Sequence, residues 1–500
     1  MPHPTIEFGN RQESGWERLG GSSPVSMNVV VDGNGTVHRR PAIQAYPEAP
    51  STAVDANGIE GLHASVQGPI YAVGVPASQT GLGSRDIYSI GGGGSTNITA
   101  ANGGGTGGAD LRGFTRPVFA ETETLVVIAG GREMEKVVVA TSVPSRLRGL
   151  VDGQDPPKAT FVAANAQRLI ANDPLADVNV ARVSGAGNAG DPSGWENWSV
   201  VPFSGAGQFF ASARPDPVLA IHENTNEVFI HGSSNVQLYR ADPRIFYAAV
   251  STREYGVAAP YAVAKIDQEF IWLDHRRRIM RSDGRTVEEI SQPIDQDLQD
   301  MEKVDDAFGY RINIGYIDGY AITFPSEGKT LFFQRGGGWS QWQGFDEDDN
   351  AWLPFPVLSQ AHRVFGGNDT TIVGLSDGRV AQLLNNVNDD LGVRVKAFTE
   401  TGYYDRGTDN RKWCKSVKLA FRRGLTSTTE PLGFLSWSDQ PGVWSSPIPL
   451  HLGQSGATRP VIPLRSLGTY RRRAWRFTFS ETQSELSLVR VTEEYDILDS

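Results

Sequence analysis

Residues 227–240 read EVFIHGSSNVQLYR, which is an apolar strand, a Gly-Ser-Ser turn and a second strand with an aromatic residue near its end. Apolar and polar residues that alternate on both sides of a turn are typical of a β-hairpin. The same arrangement recurs in the segments 70–90, 125–140, 168–183, 227–240, 269–285, 320–334 and 371–384. Seven hairpins therefore occupy about 315 residues, and their starts lie 42 to 59 residues apart.

A repeat of this length with one hairpin per unit matches the spacing of β-propeller blades. A small twisted sheet cannot bury both of its apolar faces alone, whereas sheets stacked around an axis bury both and leave only short edges. We therefore predict an irregular propeller of six or seven blades, with loop insertions, over residues 59–390. A large β-sandwich, or two of them, is the alternative explanation of the same spacing.

The pattern changes after residue 390, where long alternating strands such as WCKSVKLAFRR (413–423) are separated by turns that contain Pro and Gly. This pattern predicts a C-terminal antiparallel β-sandwich over residues 391–500. Residues 1–58 are expected to form an N-terminal arm with one hairpin, which turns at Asp32-Gly33-Asn34-Gly35. The predicted fold class is thus all-β, a propeller followed by a sandwich.

Three segments depart from the hairpin pattern, namely a glycine-rich stretch at 91–108 and two short stretches with helical spacing at 243–251 and 292–304. Residues 91–108, GGGGSTNITAANGGGTGG, are predicted to be a flexible, exposed insertion in the propeller. Helical spacing of apolar residues is confined to short stretches, the best being 243–251 and 292–304.

Composition limits the classes of function. The 500 residues carry a net charge of -11, which disfavours tight non-specific binding to a phosphate backbone. The single cysteine, Cys414, excludes an intramolecular disulfide and a Cys₄ zinc site, so folding in a reducing cytoplasm is the simplest expectation. The N-terminus has no apolar signal-peptide region, and no stretch approaches ~18 consecutive apolar residues, so no membrane association is expected.

Motifs that carry chemistry are missing from the sequence. There is no GxSxG, HExxH or CxxC, the glycine-rich stretches lack the following Lys-Ser/Thr of a phosphate-binding loop, and the eight histidines are scattered. We therefore predict that the protein is not an enzyme and has no catalytic residues, cofactor or metal.

Charged clusters are the remaining candidates for function. Each basic cluster is able to meet DNA phosphate or to pair with acidic loops of a neighbouring subunit, and the net charge favours protein contacts. The acidic stretch DEDDN (346–350) is predicted to be a loop tip. The residues predicted to lie at an interface or channel are Arg39, Arg40, Asp346, Glu347, Asp348, Asp349, Arg471, Arg472 and Arg473.

Local patterns in a fixed order add a family resemblance. VSMNVVVDGNGTVHRRPAI (25–43), with Asn28, Arg40 and Pro41, resembles the N-terminal motif of the packaged-DNA stabilisation or tail-hub proteins of short-tailed bacteriophages. NEVFIHGSSNVQLYR (226–240) and YRRRAWRFTFS (470–480) resemble two later strands of the family. The run 167–198 is similar to its Arg-Leu strand followed by Ser, Gly-Asp-Pro and Trp, here Arg168, Leu169, Ser184, Gly190, Asp191, Pro192 and Trp195. The resemblance spans residues 25 to 495, and the 91–108 loop departs from it.

The resemblance implies a structural virion protein that is assembled in the host cytoplasm. Such a tail hub or nozzle is a ring, typically a hexamer, below the head-to-tail adaptor. It extends the DNA channel, helps to retain packaged DNA, and seats a needle, plug, fibre or spike. Genomic DNA passes through the lumen without sequence-specific binding, and an acidic wall that repels DNA is a further hypothesis.

Two other classes of function remain open at this point. One is a carbohydrate-binding or carbohydrate-active propeller, such as a receptor-binding tail protein, and a glycosidase of this kind needs two carboxylates about 5–10 Å apart in a central pocket. The other is a bacterial scaffold unrelated to phage.

Overall fold

The computed structural model describes residues 5–6, 26–50, 54, 57–66, 68–75, 85–99, 115–202, 204–210, 216–242, 244–365, 368–423, 432–451, 458–479 and 486–498. Regular structure within these ranges is almost all β, which confirms the predicted fold class. The helices described there are one α-helix, Asp295–Gln299, and the 3-10 helices Pro192–Glu196, Pro260–Ala262, Gln292–Ile294 and Pro325–Glu327. None of these described helices is long and apolar enough to cross a membrane.

Seven four-stranded antiparallel units form the propeller, and we number them as blades 1 to 7. Six of them are separate sheets, and the four strands of blade 6 belong to a nine-stranded sheet. Blade 1 comprises Ile59–Ala64, Ile70–Gly74, Asp86–Gly91 and Gly94–Asn97, and blade 2 comprises Val118–Glu121, Leu125–Ala129, Glu135–Val138 and Val143–Arg146. Blade 3 comprises Val162–Asn165, Arg168–Asn172, Val180–Val183 and Gly207–Phe210, and blade 4 comprises Ala220–Asn224, Glu227–His231, Val236–Asp242 and Phe246–Arg253. Blade 5 comprises Ala264–Ile266, Glu269–Leu273, Ile279–Ser282 and Val287–Glu289. Blade 6 comprises Phe308–Ile314, Ile317–Phe324, Lys329–Gln334 and Trp339–Trp342. Blade 7 comprises Val357–Phe365, Asn368–Leu375, Val380–Leu384 and Ala42–Ala45. The first strand of each blade lies nearest the axis, since these strands line a common central cavity.

The ring is closed by the N-terminal segment. Strand Ala42–Ala45 pairs with Val380–Leu384 and supplies the outermost strand of blade 7. Blade 7 in turn packs on blade 1, where Ile59 and Ile372 share one apolar core. Comparable cores fill the spaces between the other neighbouring blades. The predicted propeller is therefore present, with seven blades.

The seven predicted hairpins are the second and third strands of the seven blades. Two local predictions are wrong. Part of the expected flexible loop, Gly94–Asn97, is the outermost strand of blade 1, reached through a turn at Gly92 and Gly93, whose φ angles are positive; residues 100–108 lie outside the described residues. The expected helix at 243–251 is instead the outer strand Phe246–Arg253, whereas 292–304 does contain the short helix.

Two further sheets pack face to face as a sandwich. The first sheet has the strands Val29–Val31, Val37–Arg39, Leu486–Ile497, Lys412–Arg423 and Val461–Arg465, with Thr5–Ile6 and Thr469–Tyr470 paired at its margins. The second has Ser26–Met27, Ala397–Glu400, Ala474–Phe479, Leu432–Ser438 and Ile448–His451. Two small hairpins are also present: Gly344–Asp346 with Ala351–Leu353 lies between blades 6 and 7 in sequence, and Asp389–Asp390 with Val393–Arg394 lies between blade 7 and the sandwich strands that follow.

The segment 1–58 contributes strands to both units. The hairpin around Asp32 belongs to the first sandwich sheet, and Ala42–Ala45 belongs to blade 7. Strand Ser26–Met27 pairs on one side with Trp339–Trp342 of blade 6 and on the other with Ala397–Glu400 of the sandwich. The sheet of blade 6 therefore continues into the sandwich as a single nine-stranded sheet.

Candidate functional site

The joint between propeller and sandwich is built around Asn28, which directly follows strand Ser26–Met27. Its φ of 54° is unusual for a residue with a side chain, and its side chain explains why it is tolerated there. The Asn28 Oδ1 accepts hydrogen bonds from Arg40 Nε at 3.0 Å and from the Gln343 backbone N at 2.8 Å, and its Nδ2 donates to the Lys396 carbonyl at 2.9 Å. One amide thus ties the N-terminal segment to the chain on both sides of the joint.

Arg40 completes this joint and is only 2% exposed. Its guanidinium forms an ion pair with Asp390, donates to the Pro41 carbonyl at 2.8 Å, and lies 4.9 Å from the ring centre of Phe355. Arg39 is 7% exposed and lies 5.5 Å from the ring centre of Phe479. Both arginines are therefore interior residues, which corrects their predicted place at an interface or channel.

The second predicted basic cluster, Arg471 to Arg473, divides between the interior and the surface. Arg473 is 1% exposed, and its guanidinium forms two hydrogen bonds with the Asp439 carboxylate, at 2.7 and 2.8 Å. Arg471 is exposed and donates to the Asp409 carbonyl at 2.8 Å, and Arg472 is half-buried and lies 3.5 Å from the Asp409 carboxylate. Arg473 is therefore an interior residue as well, and only Arg471 and Arg472 of this cluster reach the surface.

The acidic residues do form a loop tip, at the turn of the hairpin between Gly344–Asp346 and Ala351–Leu353. Glu347, Asp348 and Asp349 are exposed. Asp346 is half-buried because its Oδ1 accepts hydrogen bonds from the backbone N of Asp348 and Asp349, at 2.9 and 3.2 Å. The tip therefore presents three exposed carboxylates at the turn of a short hairpin.

The residues that carry the family resemblance at 226–240 also have a structural task. The buried Asp216 carboxylate accepts hydrogen bonds from the backbone N and the hydroxyl of both Ser233 and Ser234, and from the backbone N of Asn235. Asp216 thereby fixes the turn of blade 4. Sequence reasoning missed it, because no local pattern marks the partner of a turn 17 residues away.

The run 167–198 is held together in a comparable way. The backbone N of Leu169 donates to the Ser184 hydroxyl at 2.9 Å, and the buried Trp195 donates its indole N–H to the Gln167 carbonyl at 2.9 Å. The resemblance motifs therefore coincide with turns and joints of the fold.

Along the propeller axis lies a cavity of about 280 Å³. All seven blades line it, and its walls are largely apolar and aromatic. Its charged lining residues are Glu60, Arg116, Lys265 and Arg311. The sequence predicted none of them, since only closure of the ring brings these distant residues together.

Three of the four charged groups are neutralised by nearby partners. Glu60 pairs with Arg85 at 2.6 Å, and Lys265 pairs with Glu223 at 3.1 Å. Arg311 pairs with Asp267 and Asp318, at 2.9 and 3.0 Å.

Arg116 differs from these groups. It donates one hydrogen bond, to the Leu358 carbonyl, and lies 3.7 Å from the ring centre of Phe308. Enclosure by protein lowers its pKa to about 10, against a smaller opposing effect of the Glu60 charge. Arg116 forms no ion pair with a carboxylate among the described residues.

Two histidines in blade 4 lie at this cavity: His222 is half-buried and lines it, and His231 is buried behind it. The ring centres of His222 and His231 are 5.6 Å apart, and His231 lies 5.4 Å from Trp272 of blade 5. Neither ring nitrogen of His231 has a hydrogen-bond partner among the described residues. Burial, and then the neighbouring Lys265 charge, lower the pKa of His222 to about 4; burial and His222 lower that of His231 well below its usual value. Within the described ranges, no group of three or more His, Cys, Asp or Glu side chains is arranged to hold a metal ion.

Comparisons with known proteins give only remote similarities. No family model matches the sequence, and no curated protein matches it. Among solved structures, the chain is similar to the N-terminal domain of Nup159, with 8% identity over 72% of this chain and 99% of that chain and a TM-score of 0.39. It is similar to BBS1N in complex with ARL6DN (9% identity, 69% and 97% coverage, TM-score 0.40) and to BamB from Moraxella catarrhalis (12%, 69% and 96%, TM-score 0.31). Similarities this remote carry no argument about function, and the propeller assignment rests on the strand pairing of the chain itself.

Proposed function

We propose that this protein is a structural virion component, the tail hub or nozzle of a short-tailed bacteriophage. In this proposal, copies of the chain form a ring, typically a hexamer, below the head-to-tail adaptor. The ring extends the DNA channel, helps to retain packaged DNA, and seats distal tail components such as a needle, plug, fibre or spike.

The observation that carries the proposal is the joint at Asn28 and Arg40. These residues belong to the N-terminal motif that resembles the tail-hub family, and they lie where the sheet of blade 6 runs on into the sandwich. A hub subunit must hold its neighbours above and below at a fixed spacing while DNA pressure acts on it. A sheet shared by the two units, with the largely buried Arg40–Asp390 ion pair beside it, supports such a rigid body.

The proposed DNA channel is the lumen between subunits and not the axis of one propeller. A cavity of about 280 Å³ has no room for a duplex. Contacts between unlike surfaces of identical subunits generate rings when the rotation between them closes. With a net charge of -11 and an exposed acidic tip at 347–349, such a subunit is suited to a wall along which DNA slides without sticking.

A glycosidase lacks comparable support. Its mechanism needs two carboxylates in one pocket, whereas Glu60, already paired with Arg85, is the one carboxylate among the described residues that line the central cavity.

Negative-stain imaging of the purified chain, alone and with a head-to-tail adaptor ring, tests the proposal. We expect rings of about six subunits in at least one of the two samples. If both samples contained only monomers, and the protein cleaved or bound polysaccharide, these results would contradict the proposal. Rings whose lumen is lined by arginines would refute the sliding-wall part alone.

A further inference from the structure

Among the described residues, Arg116 is the one charged group lining the cavity that forms no ion pair. Each of the other charged residues of the cavity has an oppositely charged partner within 3.1 Å. Arg116 has one backbone carbonyl and the face of Phe308. A guanidinium carries five N–H donors, so most of its hydrogen-bonding capacity is unused by the described residues.

An enclosed charge of this kind is costly unless an opposite charge or several hydrogen bonds compensate it. The lowered pKa of Arg116 reflects that cost, because enclosure disfavours the protonated form. At neutral pH the group still keeps its proton. Arg116 is partly accessible as a residue, so the charge can be reached from within the cavity.

The walls around this charge favour an apolar ligand body. Phe161 and Tyr261 stack with their ring centres 5.0 Å apart, and Phe119 and Phe308 are further aromatic lining residues. A volume of about 280 Å³ lies just below the usual range of ligand pockets, about 300–1,000 Å³, and has room only for a small molecule. Small pockets with apolar walls and a few polar groups bind small molecules by burying the body and orienting one polar end.

We propose that the central cavity of the propeller binds a small organic carboxylate, whose carboxylate pairs with Arg116 and whose apolar body packs against the aromatic wall. The flat guanidinium offers two parallel N–H donors, which match the two oxygens of a carboxylate. A monoanion balances the one charge of the cavity lining that is unpaired among the described residues, whereas a phosphate dianion brings a second charge into an apolar space.

Isothermal titration of the full-length chain tests this assignment with benzoate as the probe. Benzamide, which has the same shape and no charge, and inorganic phosphate, which has the charge and no apolar body, are the comparison ligands. We expect benzoate to bind and to exceed benzamide by about 10- to 100-fold in affinity, the range for a charge-assisted hydrogen-bonded pair. Absence of benzoate binding up to about 10 mM, or equal binding of benzamide, would overturn the proposal, and so would tighter binding of phosphate.

Two variants locate the site. Arg116→Met removes the charge and keeps an apolar side chain of similar length, and it should weaken benzoate binding by the same 10- to 100-fold. Arg240→Met is the matched control, because Arg240 pairs with Glu227 and is not among the residues that line the cavity. It should leave the affinity within about threefold. Undiminished binding by Arg116→Met would refute the assignment, and the ligand comparison on the unmodified chain decides the question even if this variant does not fold.

Discussion

Acidification should loosen blades 4 and 5 before it affects the sandwich. The cause is the pair of neighbouring histidines, the half-buried His222 and the buried His231, which stay neutral in the folded protein because desolvation by the surrounding protein lowers their pKa values. In the unfolded chain the same groups take up protons near their usual pKa of 6.5. Below that pH the unfolded state binds more protons than the folded state, so stability falls with decreasing pH.

The size of the effect follows from the same linkage. Each histidine lowers the free energy of unfolding by about 1.36 kcal/mol for each pH unit below 6.5, as long as it remains neutral in the fold. At pH 5 this amounts to about 2 kcal/mol for each group and about 4 kcal/mol for the pair. The loss attributable to His222 levels off near its folded pKa of about 4. Carboxyl groups of the unfolded chain titrate near pH 4, so they contribute little between pH 5 and 6.5.

Hydrogen exchange followed by mass spectrometry measures the loss of stability on acidification separately for each segment of the chain. A segment-by-segment measurement suits a chain with two packed units, because a single free energy of unfolding does not describe both. Peptides from 227–231 and 269–273 should lose protection between about pH 7.5 and 5, after correction for intrinsic exchange rates, and sandwich peptides should lose less. The variant His231→Phe should remove about half of the pH dependence. His451→Asn, at an exposed position, is the control. Unchanged protection of blade 4 at pH 5, or an identical pH dependence in His231→Phe, would refute the reasoning.

Three other outcomes are expected. Arg40→Met leaves the Asp390 carboxylate without its partner in the joint and should lower the free energy of unfolding by about 3–5 kcal/mol in urea denaturation. Arg240→Met, the control, breaks an exposed ion pair and should lower the same free energy by less than about 1 kcal/mol. Equal losses in the two variants would contradict the assigned role of the joint. Cys414 is fully buried and burial raises its pKa, so a thiol reagent should modify it only after denaturant is added, and rapid labelling of the native chain would contradict its place in the core. Replacing the exposed acidic residues 347–349 by lysines should change the free energy of unfolding by less than about 0.5 kcal/mol. The same change should weaken any ring that the tip helps to form. A large loss of stability would show instead that the tip has a structural role.

The sequence predicted the strands that are buried on both faces. The second and third strands of every blade, such as Leu125–Ala129, form continuous or alternating apolar runs because neighbouring blades cover both sides. Outer strands have one face in solvent and a weaker pattern. Gly94–Asn97 contains no apolar residue, and the buried or half-buried apolar residues of Phe246–Arg253 are the three at its start, so one was expected to be a loop and the other a helix.

Long-range partners were beyond prediction. Nothing in the local pattern of Ala42–Ala45 indicates that it pairs with a strand more than 300 residues later in the chain. The basic clusters at Arg40 and Arg473 were expected at the surface because their carboxylate partners, Asp390 and Asp439, are distant in sequence. Interior arginines of this kind are recognisable only once the fold is known, because only the fold shows which carboxylate each of them contacts.

Native mass spectrometry of the full-length chain over a range of concentrations tests the proposed ring most directly. A hub of six copies of the 54.3 kDa chain has a mass of about 326 kDa, six times that of one chain. We expect a closed species near this mass, or near the mass of another small closed ring, from the chain alone or with an adaptor ring present. A chain that stays at 54.3 kDa under all of these conditions would contradict the account.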